Sequence, residues 1–180
     1  MKLYVLDLGK IVMMGDNPVT KDEGENPAIP IHAFLLDTPA GYVLFDTGCH
    51  QQAMEGAWPK ELCGNPYVPG EHGSVPERLA ELGIQPEEIS AVVLSHLHLD
   101  HAGNAGLFPH ARLIVPAEDL EYARRLIENA DPARRGGYIR EDIRELPGKM
   151  TALVQDRQLF PGIRLLGLPG HTPALLGMEI

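Results

Sequence analysis

The stretch "AVVLSHLHLDHAGN" (residues 91–104) decides how this chain is read. Its opening, "AVVLS" (91–95), is a continuous apolar run, which suits a strand buried on both faces. Directly after it, His96, His98, Asp100 and His101 crowd into six positions at the strand's C-terminal end. In an extended chain residues i and i+2 share a side, so His96 and His98 are expected to point the same way. Asp100 and His101 are expected in the turn that follows, where the small "AGN" lets the backbone swing clear. Neutral imidazole is a favoured ligand for zinc, iron and copper, and a carboxylate adds charge. Helical zinc motifs space histidines at i, i+4. The i, i+2 spacing here makes the binding unit a strand and its exit loop.

A second candidate lies further on. "LLGLPGHT" (165–172) again runs an apolar strand into a turn, with His171 at the tip. A metal site draws ligands from distant strand ends, so His171 gains weight beside the first cluster. His32, His50, His72 and His110 have no motif around them and read as surface or hydrogen-bonded histidines.

The rest of the chain frames these two strand ends. "KLYVLDL" (2–8) reads as a strand, and the Gly-, Pro- and charge-rich segment 15–30 as a loop. "IHAFLLD" (31–37) and "GYVLFD" (41–46) read as a hairpin around "TPA". Residues 47–73 form a long loop whose Met54, Trp58 and Tyr67 fit ordinary packing better than an acyl pocket; Met13 and Met14 are weaker candidates to face a substrate. Ser74, Pro76 and Glu77 make a capping-box helix start. "QPEEIS" (85–90) reads as a helical turn and 111–116 as a strand. Residues 117–129 read as an amphipathic helix with Leu120, Ala123 and Ile127 inward, Tyr122 or Leu126 being further candidates, and 137–146 as another helix. Hairpins dominate before residue 74, and strands alternate with helices after it. That mix predicts one α/β domain over 1–180 with mixed sheets, rather than a doubly wound one.

Bulk properties narrow the classes. The 180 residues are 44% hydrophobic and 22% charged, enough apolar material for a core. The formal net charge of −10 with no basic stripe argues against nucleic acid. The fifteen Lys and Arg show no cluster near the motif in sequence, which counts against a phosphodiester substrate. No run approaches the roughly 20 apolar residues of a membrane helix. Cys49 and Cys63 lack any zinc-finger spacing, and the N-terminus lacks a signal-peptide pattern. The expectation is a soluble, cytoplasmic protein with no membrane partner.

"HLHLDH" (96–101) resembles the HxHxDH signature of the metallo-β-lactamase superfamily, "LFDTG" (44–48) resembles its second recurring block, and "LPGHTP" (168–173) its third. The flanking "VVLSHLHLDHAGN" is most similar to the N-acyl homoserine lactonase branch. The resemblance implies an αββα sandwich with two metals at its edge, usually zinc, with iron, manganese or cobalt as alternatives. It implies His96, His98 and His171 for one metal, Asp100 and His101 for the other, and Asp46 as a carboxylate behind them that supports the ligand loop. The chemistry implied is attack of metal-activated hydroxide on a small lactone, with Asp100 shuttling a proton to the leaving ring oxygen. Quorum quenching would be the role, and a homodimer is compatible with it.

The sequence also departs from that pattern. The family places a bridging aspartate, a further histidine and a carbonyl-assisting tyrosine beyond the Gly-His-Thr block. Residues 172–180 contain none of these, and Ala174 stands where the family usually has glycine. "ALLGMEI" (174–180) reads as the start of a strand. The expectation is a domain lacking its C-terminal third, a poorly held second metal and weak or absent activity. The competing readings are hydrolysis of a pyridoxolactone, thioester or phosphodiester, or an inactive module. A di-iron redox site is disfavoured because no carboxylate replaces a histidine in "HLHLDH".

Overall fold

Strict alternation along the central strands places one sheet between two cores. The computed structural model describes residues 1–12, 27–54, 67–71, 73–131, 134–147 and 150–180. Met13, Met14, Trp58, Cys63 and His72 lie outside the described residues, as does the side chain of Met54. Ten strands are described: β1 (Lys2–Val12), β2 (Ala28–Thr38), β3 (Gly41–Phe45), β4 (Tyr67–Pro69), β5 (Ile89–Val93), β6 (Arg112–Pro116), β7 (Met150–Leu153), β8 (Arg157–Phe160), β9 (Ile163–Gly167) and β10 (Leu176–Glu179). The helices are α1 (Gln51–Met54), α2 (Val75–Glu81), α3 (Leu99–Ala102), α4 (Ala117–Asn129) and α5 (Arg140–Arg144).

The first seven strands form a sheet in the order β4-β1-β2-β3-β5-β6-β7, and the last three a smaller sheet β10-β9-β8. The large sheet is mixed, as the sequence predicts. β1, β2 and β3 pair antiparallel, while β3, β5, β6 and β7 pair parallel. Leu35, Leu44, Val92, Leu113 and Val115 join a core with the helices. Their neighbours Leu36, Val43, Ala91, Val93 and Ile114 join a second core with Ile163, Leu165 and Leu176 of the small sheet. This period of two is what a strand buried on both faces requires. Three layers result: helices, large sheet, small sheet. Among the described residues no helix contributes to the second core.

Local signals explain most boundaries. Ser74 caps α2 by accepting from the Glu77 amide, and Glu77 returns a bond to the Ser74 amide. α4 spans the predicted thirteen residues. Several boundaries need correction, and the long loop expected over 47–73 holds α1 and β4. β1 runs on to Val12 across a register shift between Asp7 and Lys10, where Gly9 takes φ +106°. Residues 28–30, read as loop, begin β2. The helix expected over 137–146 is only the five residues of α5.

α5 carries a misfit. Asp142 is 2% exposed, and among the described residues neither carboxyl oxygen has a hydrogen-bond partner. Burial, then the like charges of Glu145 and Glu141, push its pKa from 3.8 up to about 8. The folded chain therefore favours the protonated acid. Stability from that neutral form is complete below 3.8 and is lost as pH rises through about 8. Asp142→Asn is expected to gain about 4 kcal/mol on the parent between pH 5 and pH 9. Urea midpoints at the two pH values check this; equal midpoints for parent and variant at both would contradict it.

Candidate metal centre

β5 ends at Val93, so the chain reaches His96 already free of the sheet ladder. His98 keeps an extended backbone, φ −72° and ψ 155°, as the residue before α3. Asp100 and His101 lie within that one-turn helix rather than in an open turn, a correction to the sequence reading. β9 ends at Gly167 and its exit bend carries His171 back to His98.

Three imidazoles converge. His96, His98 and His171 each offer a ring nitrogen within 4.8 Å of the others. The ring centroids of His96 stand 4.6 Å from His98 and 5.0 Å from His171. Nδ1 of His98 and Nε2 of His171 are 3.1 Å apart. Burial first, then the neighbouring imidazoles His101 and His98, lower the pKa of His96 to about 2. Burial and His171 lower that of His98 to about 4. Both rings are therefore neutral at neutral pH, the form a metal needs. His96 Nε2 is buried with no hydrogen-bond partner among the described residues, although His96 Nδ1 lies 3.0 Å from the Ser95 hydroxyl. An orphaned buried nitrogen in a triangle of imidazoles, two of them held neutral, fits a divalent cation.

Asp100 and His101 stand outside that triangle. His101 Nδ1 is 2.8 Å from Asp46 Oδ2, and its Nε2 is 3.3 Å from Asp100 Oδ2. Burial opposes the charge on His101, but hydrogen bonds to Asp100 and Asp46 outweigh it and raise its pKa to about 10. Burial likewise opposes ionisation of Asp100, yet His101 holds its pKa below the usual value.

Asp46 sits behind this pair. It is the one non-glycine with positive φ (63°) among the described residues, a strained conformation held by its bonds. Its Oδ1 accepts from the Ser95 amide at 2.6 Å, and its Oδ2 accepts from the Ser95 hydroxyl at 2.8 Å. The loop is clamped further along. Thr47 donates its amide and its hydroxyl to the His101 carbonyl, at 2.7 and 2.9 Å. The Asn104 amide group donates to the carbonyls of Thr47 and Cys49.

One supporting residue escaped the sequence reading. Asp119, in the first turn of α4, is fully buried. One oxygen accepts from the Leu97 amide at 2.8 Å, and the other from the Tyr138 hydroxyl at 2.5 Å. Burial pushes its carboxyl pKa up, while Tyr138, Leu97 and Thr172 pull it back. Tyr138 packs edge-on against His98, centroids 4.5 Å apart. One carboxylate thus anchors the residue between two ligands and the ring that braces one of them. The available signal was an acid on the same helical stripe as Ala123. The unassigned histidines lie elsewhere: His32 stands opposite Asp7 on β2, and His50 Nε2 is 3.3 Å from Glu145. The Tyr67 hydroxyl donates to the Leu8 carbonyl, a packing role.

Two spaces open beside the imidazoles. A cavity of about 630 Å³ is lined by His98, His171, Tyr122, Tyr138, Arg134 and Arg135 among others. The arginines were not expected near the motif, because residues 102–133 separate them from it; folding of the α4–α5 loop brings them in. An apolar groove of about 430 Å³, with Phe34, Phe45 and Met178, reaches Asp46, His96 and His101 from the other side.

Comparison with known proteins places this geometry in a family. The sequence profile of the metallo-beta-lactamase superfamily matches residues 26–180. The N-acyl homoserine lactonase AiiB of Agrobacterium fabrum is 36% identical, over 99% of this chain and 71% of its own length. The N-acyl homoserine lactonase of Bacillus thuringiensis is 30% identical, over 96% of this chain and 67% of its own. A solved N-acyl homoserine lactone hydrolase, with the product N-hexanoyl-L-homoserine at its catalytic metal centre, superposes with a TM-score of 0.79 at 28% identity, covering 98% of this chain and 69% of that one. The chain belongs to the metallo-β-lactamase superfamily. No helix among the described residues is long and apolar enough to cross a membrane.

Proposed function

We propose that this chain is a metal-dependent hydrolase that opens N-acyl homoserine lactones, with zinc held by His96, His98 and His171. The observation that carries the reading is the buried His96 Nε2, without a hydrogen-bond partner among the described residues, beside the imidazoles of His98 and His171. Left unpaired, such a nitrogen costs about 1–3 kcal/mol, a cost that a bound cation removes. The lactonase names of the relatives support the substrate. Zinc suits an all-imidazole donor set, and iron, manganese or cobalt are its competitors. The buried, free thiol of Cys49 fits a reducing compartment, and the cytoplasm is the location we propose.

A divalent metal here supplies a polarised carbonyl and a more acidic water. The protein supplies the rest. Asp100 is held ionised by His101, so its carboxylate is a proton acceptor beside the imidazoles. It takes a proton from water as the oxygen adds to the lactone carbonyl carbon. It returns that proton to the ring oxygen as the carbon–oxygen bond breaks. His101, paired with Asp46 and Asp100, keeps its own proton near neutral pH. A second cation would be held by His101 only in exchange for that proton, which would weaken its binding.

Elemental analysis of the purified chain is expected to find about one tightly held zinc, lost on His96→Ala. The zinc-loaded chain is expected to release acid from N-hexanoyl homoserine lactone, and chelation to stop it. Stoichiometric zinc with no lactone opened would overturn the substrate; no zinc surviving dialysis would overturn the site.

A further inference from the structure

The cavity beside His98 and His171 carries a charge that lactone opening does not use. Among its described lining residues two are arginines and none is acidic. The chain has 25 acidic residues against 15 Lys and Arg, yet among the described residues no carboxylate lies within ion-pair distance of Arg134 or Arg135. We propose that the cavity takes a lactone whose acyl chain ends in a carboxylate, read by Arg134 and Arg135. The inference rests on the lactone reading above and adds the chemistry of the tail.

Position favours recognition over a solvated surface pair. The loop carrying the arginines is pinned to the imidazoles. The Leu99 amide donates to the Gly137 carbonyl at 2.8 Å, and a Cβ on Gly137 would meet the His98 ring at 2.8 Å. Arg135 precedes that contact by two residues and Arg134 by three, at most about 10 Å of chain. The Arg135 Nε donates to the Ala130 carbonyl at 3.2 Å, which fixes its stem, and among the described residues its two terminal nitrogens have no hydrogen-bond partner. Neither arginine hydrogen-bonds His98 or His171, so the charge they read belongs to the part of the substrate that is not cleaved. Tyr122, Leu126 and Tyr138 line the same cavity, apolar surface suited to methylenes. The guanidinium fork matches a carboxylate in shape. A chain of net charge −10 does not steer anions from afar, so the preference must come from this short contact.

The test is binding, measured by calorimetry on the zinc-loaded chain with two non-hydrolysable lactam probes. One has an ω-carboxyl acyl tail and the other is its methyl ester. The acid is expected to bind about tenfold more tightly at low salt, and the gap to shrink at high salt. Arg134→Ala and Arg135→Met, which keeps the stem, are each expected to narrow the gap, and Arg134→Glu to reverse it. Equal affinities in the parent, or a gap that survives both neutral substitutions, would overturn the carboxylate tail while leaving lactone binding intact. Tighter binding of a phosphodiester probe would assign the arginines to phosphate instead. Failure of both lactams to bind would sink this proposal and the lactone reading together.

Discussion

Asp119→Ala is expected to weaken zinc binding by about 10- to 100-fold, the usual loss when a group orienting metal ligands is removed. The substitution strips partners from two buried donors at once, the Leu97 amide and the Tyr138 hydroxyl. Each unpaired group costs about 1–3 kcal/mol, so the fold loses several kcal/mol as well. Two further variants separate the effects. Asp119→Asn keeps an acceptor for the Leu97 amide and is expected to fold with most of its zinc affinity. Tyr138→Phe keeps the ring against His98 but removes the hydroxyl that donates to Asp119. Its zinc loss is expected to fall between the other two. Zinc affinity from competition with a chromogenic chelator, set beside urea midpoints, checks the series. Parent-like affinity in Asp119→Ala would confine this residue to stability.

The difference between Asp119 and the histidines shows what a sequence displays. His96, His98 and His101 sit within six residues, where the chain itself brings them together. The hairpin around residues 38–41 and the capping box at Ser74 are local in the same way. Central strands announced themselves because burial on both faces demands unbroken apolar runs, as in "AVVLS". α3 stayed hidden because four residues cannot display a period of 3.6. β7 and β8 stayed hidden for a related reason: four-residue strands with exposed positions carry no clear alternation. Asp119 resembles any helix-start acid until the fold lays Leu97 and Tyr138 against it. Arg134 and Arg135 join the cavity only through the clamp at Gly137, a contact made across 39 residues of chain between His98 and Gly137.

Gly103→Ala tests the second support of the site, the clamp between the loop after β3 and the end of α3. Gly103 has ordinary helical backbone angles, φ −59° and ψ −27°, so conformational freedom is not why glycine stands there. Close approach is the reason. A Cβ would fall on the His50 amide nitrogen, 2.7 Å from the Cys49 carbonyl carbon and 2.8 Å from the Gly48 oxygen. All three are backbone atoms and cannot swing aside. The Gly103 amide also donates to the Gly48 carbonyl at 2.9 Å. Alanine must push the 46–50 loop away, which pulls Asp46 from His101 and Thr47 from the His101 carbonyl. The expected cost is about 3 kcal/mol or more, a fall in Tm of roughly 6–12 °C. Gly83→Ala is the control. It stands at φ +72° with nothing within 4 Å, so only backbone strain of about 1 kcal/mol is expected. If the loop holds His101 in its charged pair, Gly103→Ala is also expected to lower the pKa of His101 from about 10 toward 6.5, read by NMR titration of its ring protons. Because the folded pKa is raised, the pair stabilises below 6.5 and that stability is lost as pH rises through about 10. The alanine variant should therefore show a flatter stability profile across that window, whereas Gly83→Ala should keep the parent's slope. Equal melting temperatures for the two variants would mean that the loop yields freely and that the clamp does not position Asp46.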